Sequence, residues 1–122
     1  MKILVLIISL LSMSVAHASS DYEKILDHVS KGKKRAALVL LEDYLEHNPP
    51  LFRSYFLLGY LYLDTGQAAK SIKALDKAPE QERGGNYWFL KMNAYLKSTD
   101  RSESRLQDMA TALDRLIETL SY

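Results

Sequence analysis

The chain has 122 residues, with sixteen Lys and Arg against fifteen Asp and Glu, 48% hydrophobic residues and no cysteine. Near neutrality argues against a nucleic-acid binder, whose affinity comes largely from cations facing phosphate. Without cysteine there is neither a disulfide nor a lipid-modified cysteine, so packing alone must hold the fold.

Lys2, an apolar run from Ile3 to Leu11 and the small residues around Ala16-His17-Ala18 follow the order of a secretory leader. Cleavage is predicted after Ala18. A membrane span needs about 20 apolar residues, whereas Ser9, Ser12, Ser14 and His17 interrupt this run. No stable membrane insertion is therefore expected after cleavage, with a retained anchor as the alternative. Residues 1–18 are read as signal peptide and 19–122 as one helical domain, carrying fifteen basic and fifteen acidic side chains once Lys2 is gone.

Six helices are predicted, over 20–31, 34–48, 52–65, 68–78, 86–98 and 102–120. The first offers Tyr22, Ile25, Leu26 and Val29 to a neighbour. At the start of the second, Lys33, Lys34 and Arg35 oppose the helix dipole. A solvated turn accounts for them, and contact with an acidic partner or lipid head group is the sharper alternative. Ala37, Leu41 and Tyr44 follow on one face, and Pro49-Pro50 ends the helix. The third helix holds Gly59 in mid-run, which costs roughly 1 kcal/mol against alanine, so a close neighbour is expected there. Both Pro49-Pro50 and the APEQERGGN stretch, 78–86, read as joints inside one domain. In the last helix Leu106, Met109, Ala110, Leu113, Leu116, Ile117 and Leu120 follow an amphipathic period. Asp100 and Glu103 have capping-box spacing before it, and the helix is expected to cover the end of the domain with a polar outer face.

An internal period runs through these elements. Gly32 aligns with Gly66, Ala37 with Ser71, Leu38 with Ile72 and Leu41 with Leu75, the same separation in every pair. Tyr55-x-x-Leu58-Gly59-x-x-Tyr62, Gly66, Ser71, Leu75 and Ala78 together resemble the tetratricopeptide repeat, a helix-turn-helix unit of that period. Trp88 and Tyr95 follow Tyr55 and Tyr62 at nearly the same separation, although Lys91 and Met92 occupy the Leu-Gly slots. The resemblance implies an all-α fold, an α-α superhelix of about three antiparallel hairpins, with Gly59 lying against Ser71. It also implies a concave groove lined by first helices, where Arg53, Phe56, Tyr60, Leu63 and Asp64 of the second unit would point, with Leu57 at its edge. Asn86, Phe89, Asn93, Leu96 and Lys97 would join them from the third.

Phe56, Tyr60 and Leu63 are then apolar surface beyond what each hairpin needs, open to a partner, to a second copy or to the stack itself. The mature histidines His28 and His47 stand on different helices without a nearby Cys or His at ligand spacing. No phosphate cradle, nucleophile elbow or zinc-protease helix occurs in the sequence. The expectation is therefore a non-enzymatic, periplasmic or secreted scaffold with no cofactor and no metal. Its partner would be the helix or extended peptide of another protein, in the assembly of pili, secretion systems or envelope machinery. The alternative is a structural subunit whose groove is permanently filled, by a second copy in a homodimer or by a neighbour in a membrane complex.

Overall fold

Helices account for all regular structure in the computed structural model, which describes residues 20–120. They are α1 over 20–30, α2 Lys34–His47, α3 Ser54–Asp64, α4 Ala68–Asp76, α5 Gly85–Lys97 and α6 Glu103–Leu120, with one 3-10 turn at Glu80–Glu82. Each predicted helix is present, and no end differs from expectation by more than two residues. The all-α expectation therefore stands, while the expected leader over 1–18 lies outside the described residues. Among the described residues no helix is long and apolar enough to cross a membrane.

The chain divides into two compact units at the Pro49-Pro50 joint. In the first, Ile25 of α1 is buried, as are Ala37, Leu38, Leu41 and Tyr44 of α2. Tyr22 lies against Tyr44 with ring centroids 5.7 Å apart. The turn into α2 passes through Gly32 at φ +75°. Its amide donates to Val29 O, and the Lys33 amide donates to His28 O. A left-handed residue with this bond pair closes the open carbonyls of a helix end, and glycine takes that conformation without steric cost.

The second unit repeats the device one period later. Gly66 stands at φ +81°, its amide on Leu63 O and the Gln67 amide on Tyr62 O. Here α3 packs on α4, α4 on α5 and α5 on α6, with a further contact between α3 and α5. The core joins Leu63, Ile72, Leu75 and Ala78 to Tyr87, Trp88, Leu90, Ala94, Tyr95 and Ala112. The joint before α5 stays within this unit and is pinned by Arg83, whose guanidinium donates to Ala78 O and Asp76 O.

At Gly59 the two helices of the α3–α4 pair approach closely. A Cβ there would sit 2.6 Å from Leu75 Cδ2 and 2.7 Å from Leu75 Cγ, inside any tolerable contact. Ser71 Oγ donates to Gly59 O at 2.7 Å, so a small residue on the opposite helix both fits the gap and fixes it. Dispersion attraction along the closely packed pair offsets the propensity cost of the glycine.

Two expectations at α6 are corrected. The cap is Ser102, whose Oγ accepts the Arg105 amide at 3.2 Å. Asp100 instead accepts the Ser102 amide at 2.9 Å, because the helix starts at Glu103 and leaves Asp100 outside it. The outer face is also not polar: Leu106, Leu113, Ile117 and Leu120 are all exposed, while Met109, Ala112 and Leu116 of the same helix join the core.

Candidate functional site

The residues expected to line a groove separate into two groups. On α3 most are drawn into packing. Leu63 is buried in the core, which corrects its reading as open surface. Phe56 and Tyr60 are half-buried and rest against the same cluster, so they too are mainly packing surface. Leu57 is half-buried, and Asp64 is exposed at the end of the helix.

Arg53 is committed at both ends. It adopts φ +62°, unusual for a residue with a side chain, and its amide donates to the Glu82 carboxylate. Its guanidinium carbon lies 4.5 Å from the centroid of the Phe56 ring, a cation-π contact. The backbone here thus ties the start of α3 to the 3-10 turn. A cavity of about 510 Å³ opens beside it, lined by Leu51, Phe52, Tyr55, Lys77 and Pro79 among others. It gathers none of the predicted site residues.

The α5 group is different. Phe89 is 60% exposed and Leu96 53% exposed. Asn86, Phe89, Asn93 and Leu96 share one helical face by their spacing of three, four and three residues. Asn93 turns its amide back on its own helix, Nδ2 donating to Phe89 O at 3.0 Å, which leaves its Oδ1 to accept from a visitor. Lys97 is exposed one residue beyond Leu96.

A shift of one repeat accounts for the contrast. It carries Phe56, Tyr60 and Leu63 onto Phe89, Asn93 and Leu96. The α3 residues meet a core that α5 has entered. Among the described residues nothing follows α6 to cover their counterparts in the same way.

The opposite face of α5 holds a feature that sequence reasoning registered only as a departure. Lys91, in the position where Leu58 stands on α3, is buried. Its ammonium lies 2.6 Å from Asp76 Oδ1 and donates to Tyr87 Oη at 3.2 Å. The rings of Tyr87, Trp88 and Tyr95 surround it, with centroids 5.4 to 5.9 Å away. Burial pulls the Lys91 pKa down, but the Asp76 hydrogen bond and the neighbouring tyrosines outweigh it, and the net direction is up. Tyr87 in turn donates to Leu75 O at 2.8 Å. This cluster joins α4 to α5 and is fully engaged, so it is scaffold and not a site for a ligand.

Of the described histidines, His28 is half-buried and His47 exposed. His28 Nδ1 meets Lys24 O at 2.8 Å and His47 Nδ1 meets Asp43 O at 2.9 Å. The carbonyl bond, then the charge of Asp43, raise the His47 pKa. Asp43, Glu46 and His47 bring ligand atoms within 4.8 Å of one another on an exposed turn of α2, an arrangement common on surfaces that hold no ion.

The chain matches no protein-family model, no curated protein and no solved structure.

Proposed function

We propose that the chain is an exported helical-repeat scaffold of tetratricopeptide type, which holds a helix or extended segment of another protein against the outward face of α5. The observation that carries this reading is the pair Phe89 and Leu96, both more than half exposed and seven residues apart, with the Asn93 amide between them. Two large apolar side chains two turns apart, with a polar group to fix register, form the kind of anchor a visiting helix uses. Full burial of each is worth about 1.5–3 kcal/mol, and about half of that remains to be gained.

Three features support the repeat assignment. The Gly32 and Gly66 turns share one hydrogen-bond pattern a period apart. Gly59 is closely approached by Leu75 and Ser71. Helix α5 contacts both members of the preceding pair, as a stacked repeat requires. Export rests on the leader-like order of residues 1–18, and the compartment proposed is the periplasm or the exterior.

The test is co-purification from the native envelope with wild-type chain and with Phe89→Glu plus Leu96→Glu. Loss of a specific partner with helicity and melting unchanged is expected. Equal capture by both chains would reject the α5 face. N-terminal sequencing of exported protein tests export separately, with a mature end at Ser19 expected.

A further inference from the structure

We propose that α5 and α6 together form a slot for one amphipathic helix of another protein, apolar on the side that enters and carrying lysine or arginine along the edge over α6. The proposal rests on reading α5 as a recognition face, and adds the second wall and the charge of the partner. A Cβ at Gly85 would lie 3.2 Å from Thr119 Oγ1, and the Arg105 guanidinium carbon lies 5.0 Å from the Tyr95 ring centroid, so α5 and α6 run antiparallel. At about 100° per residue, Phe89 and Leu96 stand to one side of that contact line on α5. Because α6 runs the other way, Leu106, Leu113 and Leu120 stand to the same side of it. All five are exposed, and together they form one apolar trough.

One repeat earlier the same slot is filled, and its occupant shows the chemistry it takes. There α5 packs on both α3 and α4 and shares a core with Phe56, Leu63 and Ile72, the residues that one repeat carries onto Phe89, Leu96 and Leu106. What α5 brings to that place is an apolar face and a cation at its α4 edge, with Lys91 Nζ 2.6 Å from Asp76 Oδ1. Helix α6 offers the same charge to a next occupant. Beyond its apolar stripe the edge carries Glu103, Gln107, Asp114 and Glu118, with no Lys or Arg among them. Glu118 is paired with Arg115 at 3.6 Å, whereas among the described residues Glu103 and Asp114 form no ion pair. A helix with cations on that edge would pair them, and one edged with carboxylates, as a second α6 would be, would be repelled.

Two labelled synthetic helices of about 18 residues, alike in their leucine face and differing only in lysine or glutamate on the flanks, test the slot by fluorescence anisotropy with residues 19–122. The lysine peptide should bind one to one at about 10–100 µM, and the glutamate peptide at least about tenfold more weakly. Leu113→Glu should abolish binding with helicity kept, and Leu106→Glu carries the same test if Leu113→Glu fails to fold. Asp114→Lys with Glu118→Lys should bring the two peptides within about twofold of each other, whereas the same charge change on α2, Glu42→Lys with Glu46→Lys, should leave the preference in place. Binding that survives both α6 glutamate variants but is lost in Phe89→Glu would reject the α6 wall and leave the recognition role of α5 standing. Binding that is lost as predicted, with native capture indifferent to Phe89 and Leu96, would reject that role and keep the slot. No preference between the peptides, or a preference moved as much by the α2 change, would overturn the proposal. So would a wild-type chain that sedimentation equilibrium finds dimeric at about 200 µM and Leu113→Glu returns to one copy, since the slot would then belong to a second copy.

Discussion

Replacing Gly59 by alanine sets two effects of opposite sign against each other. In an open helix the change stabilises by roughly 1 kcal/mol, because alanine loses less backbone freedom on folding. Here the added carbon would lie 2.6 Å from Leu75 Cδ2 and 2.7 Å from its Cγ, and Leu75 is fully buried. A contact with Cγ cannot be relieved by swinging a chain end, so Leu75 or the helix itself must move. Overpacking of this kind costs about 1–3 kcal/mol, and two such close approaches place it at the upper end. The net expectation for Gly59→Ala is a loss of about 1–2 kcal/mol, read by urea unfolding of residues 19–122. A double-mutant cycle isolates the cause. Leu75→Ala alone should cost about 2–5 kcal/mol, and in that background Gly59→Ala should become favourable by up to about 1 kcal/mol. If Gly59→Ala stabilises the wild-type chain, or carries the same penalty whether or not Leu75 is present, close approach of α3 and α4 is not why the glycine is there.

Further outcomes follow from the same packing. Ser71→Ala removes the hydrogen bond to Gly59 O and should cost about 1 kcal/mol in the same assay. Leu63→Ala should cost about 2–5 kcal/mol, whereas Phe89→Ala and Leu96→Ala should stay within about 0.5 kcal/mol; equal penalties would show that α5 lacks the open face. Ser102→Ala should lose about 1 kcal/mol and fray the start of α6, with Asp100→Ala the weaker of the two. The raised Lys91 and Tyr95 pKa values mean that the folded state holds those protons more tightly than the unfolded chain. Their contribution is complete below the ordinary values of 10.5 and 10.0, and is lost as pH rises through the folded ones. Alkaline titration of the melting temperature should show that fall, and Lys91→Met should reduce it.

Local chemistry made the helices legible. Gly32 and Gly66 at a fixed separation mark two turns because both need a positive φ, and Pro49 stops α2 wherever the helix packs. Gly59 was readable for a similar reason, since a costly residue in mid-helix asks for a neighbour. The site was harder to read because exposure depends on what comes next in space. Phe56 and Phe89 occupy equivalent slots, yet only the first meets a core that a following helix has completed. Lys91 gave no sign of its burial, as its partner Asp76 lies on another helix at no characteristic spacing. The apolar residues of α6 were visible in their helical period, but the core-facing Met109 and Leu116 and the exposed Leu106, Leu113, Ile117 and Leu120 fit one amphipathic pattern and were merged into a single side.

The Lys91 cluster also bears on alignment. An all-leucine seam between α4 and α5 would tolerate a slip of one helical turn, about 5 Å, with little change in hydrocarbon contact. The same slip would draw the ammonium away from Asp76 and strand it in oil, a penalty of several kcal/mol. The ion pair thus acts as an index pin, ruling out shifted stackings that hydrophobicity alone would leave in competition.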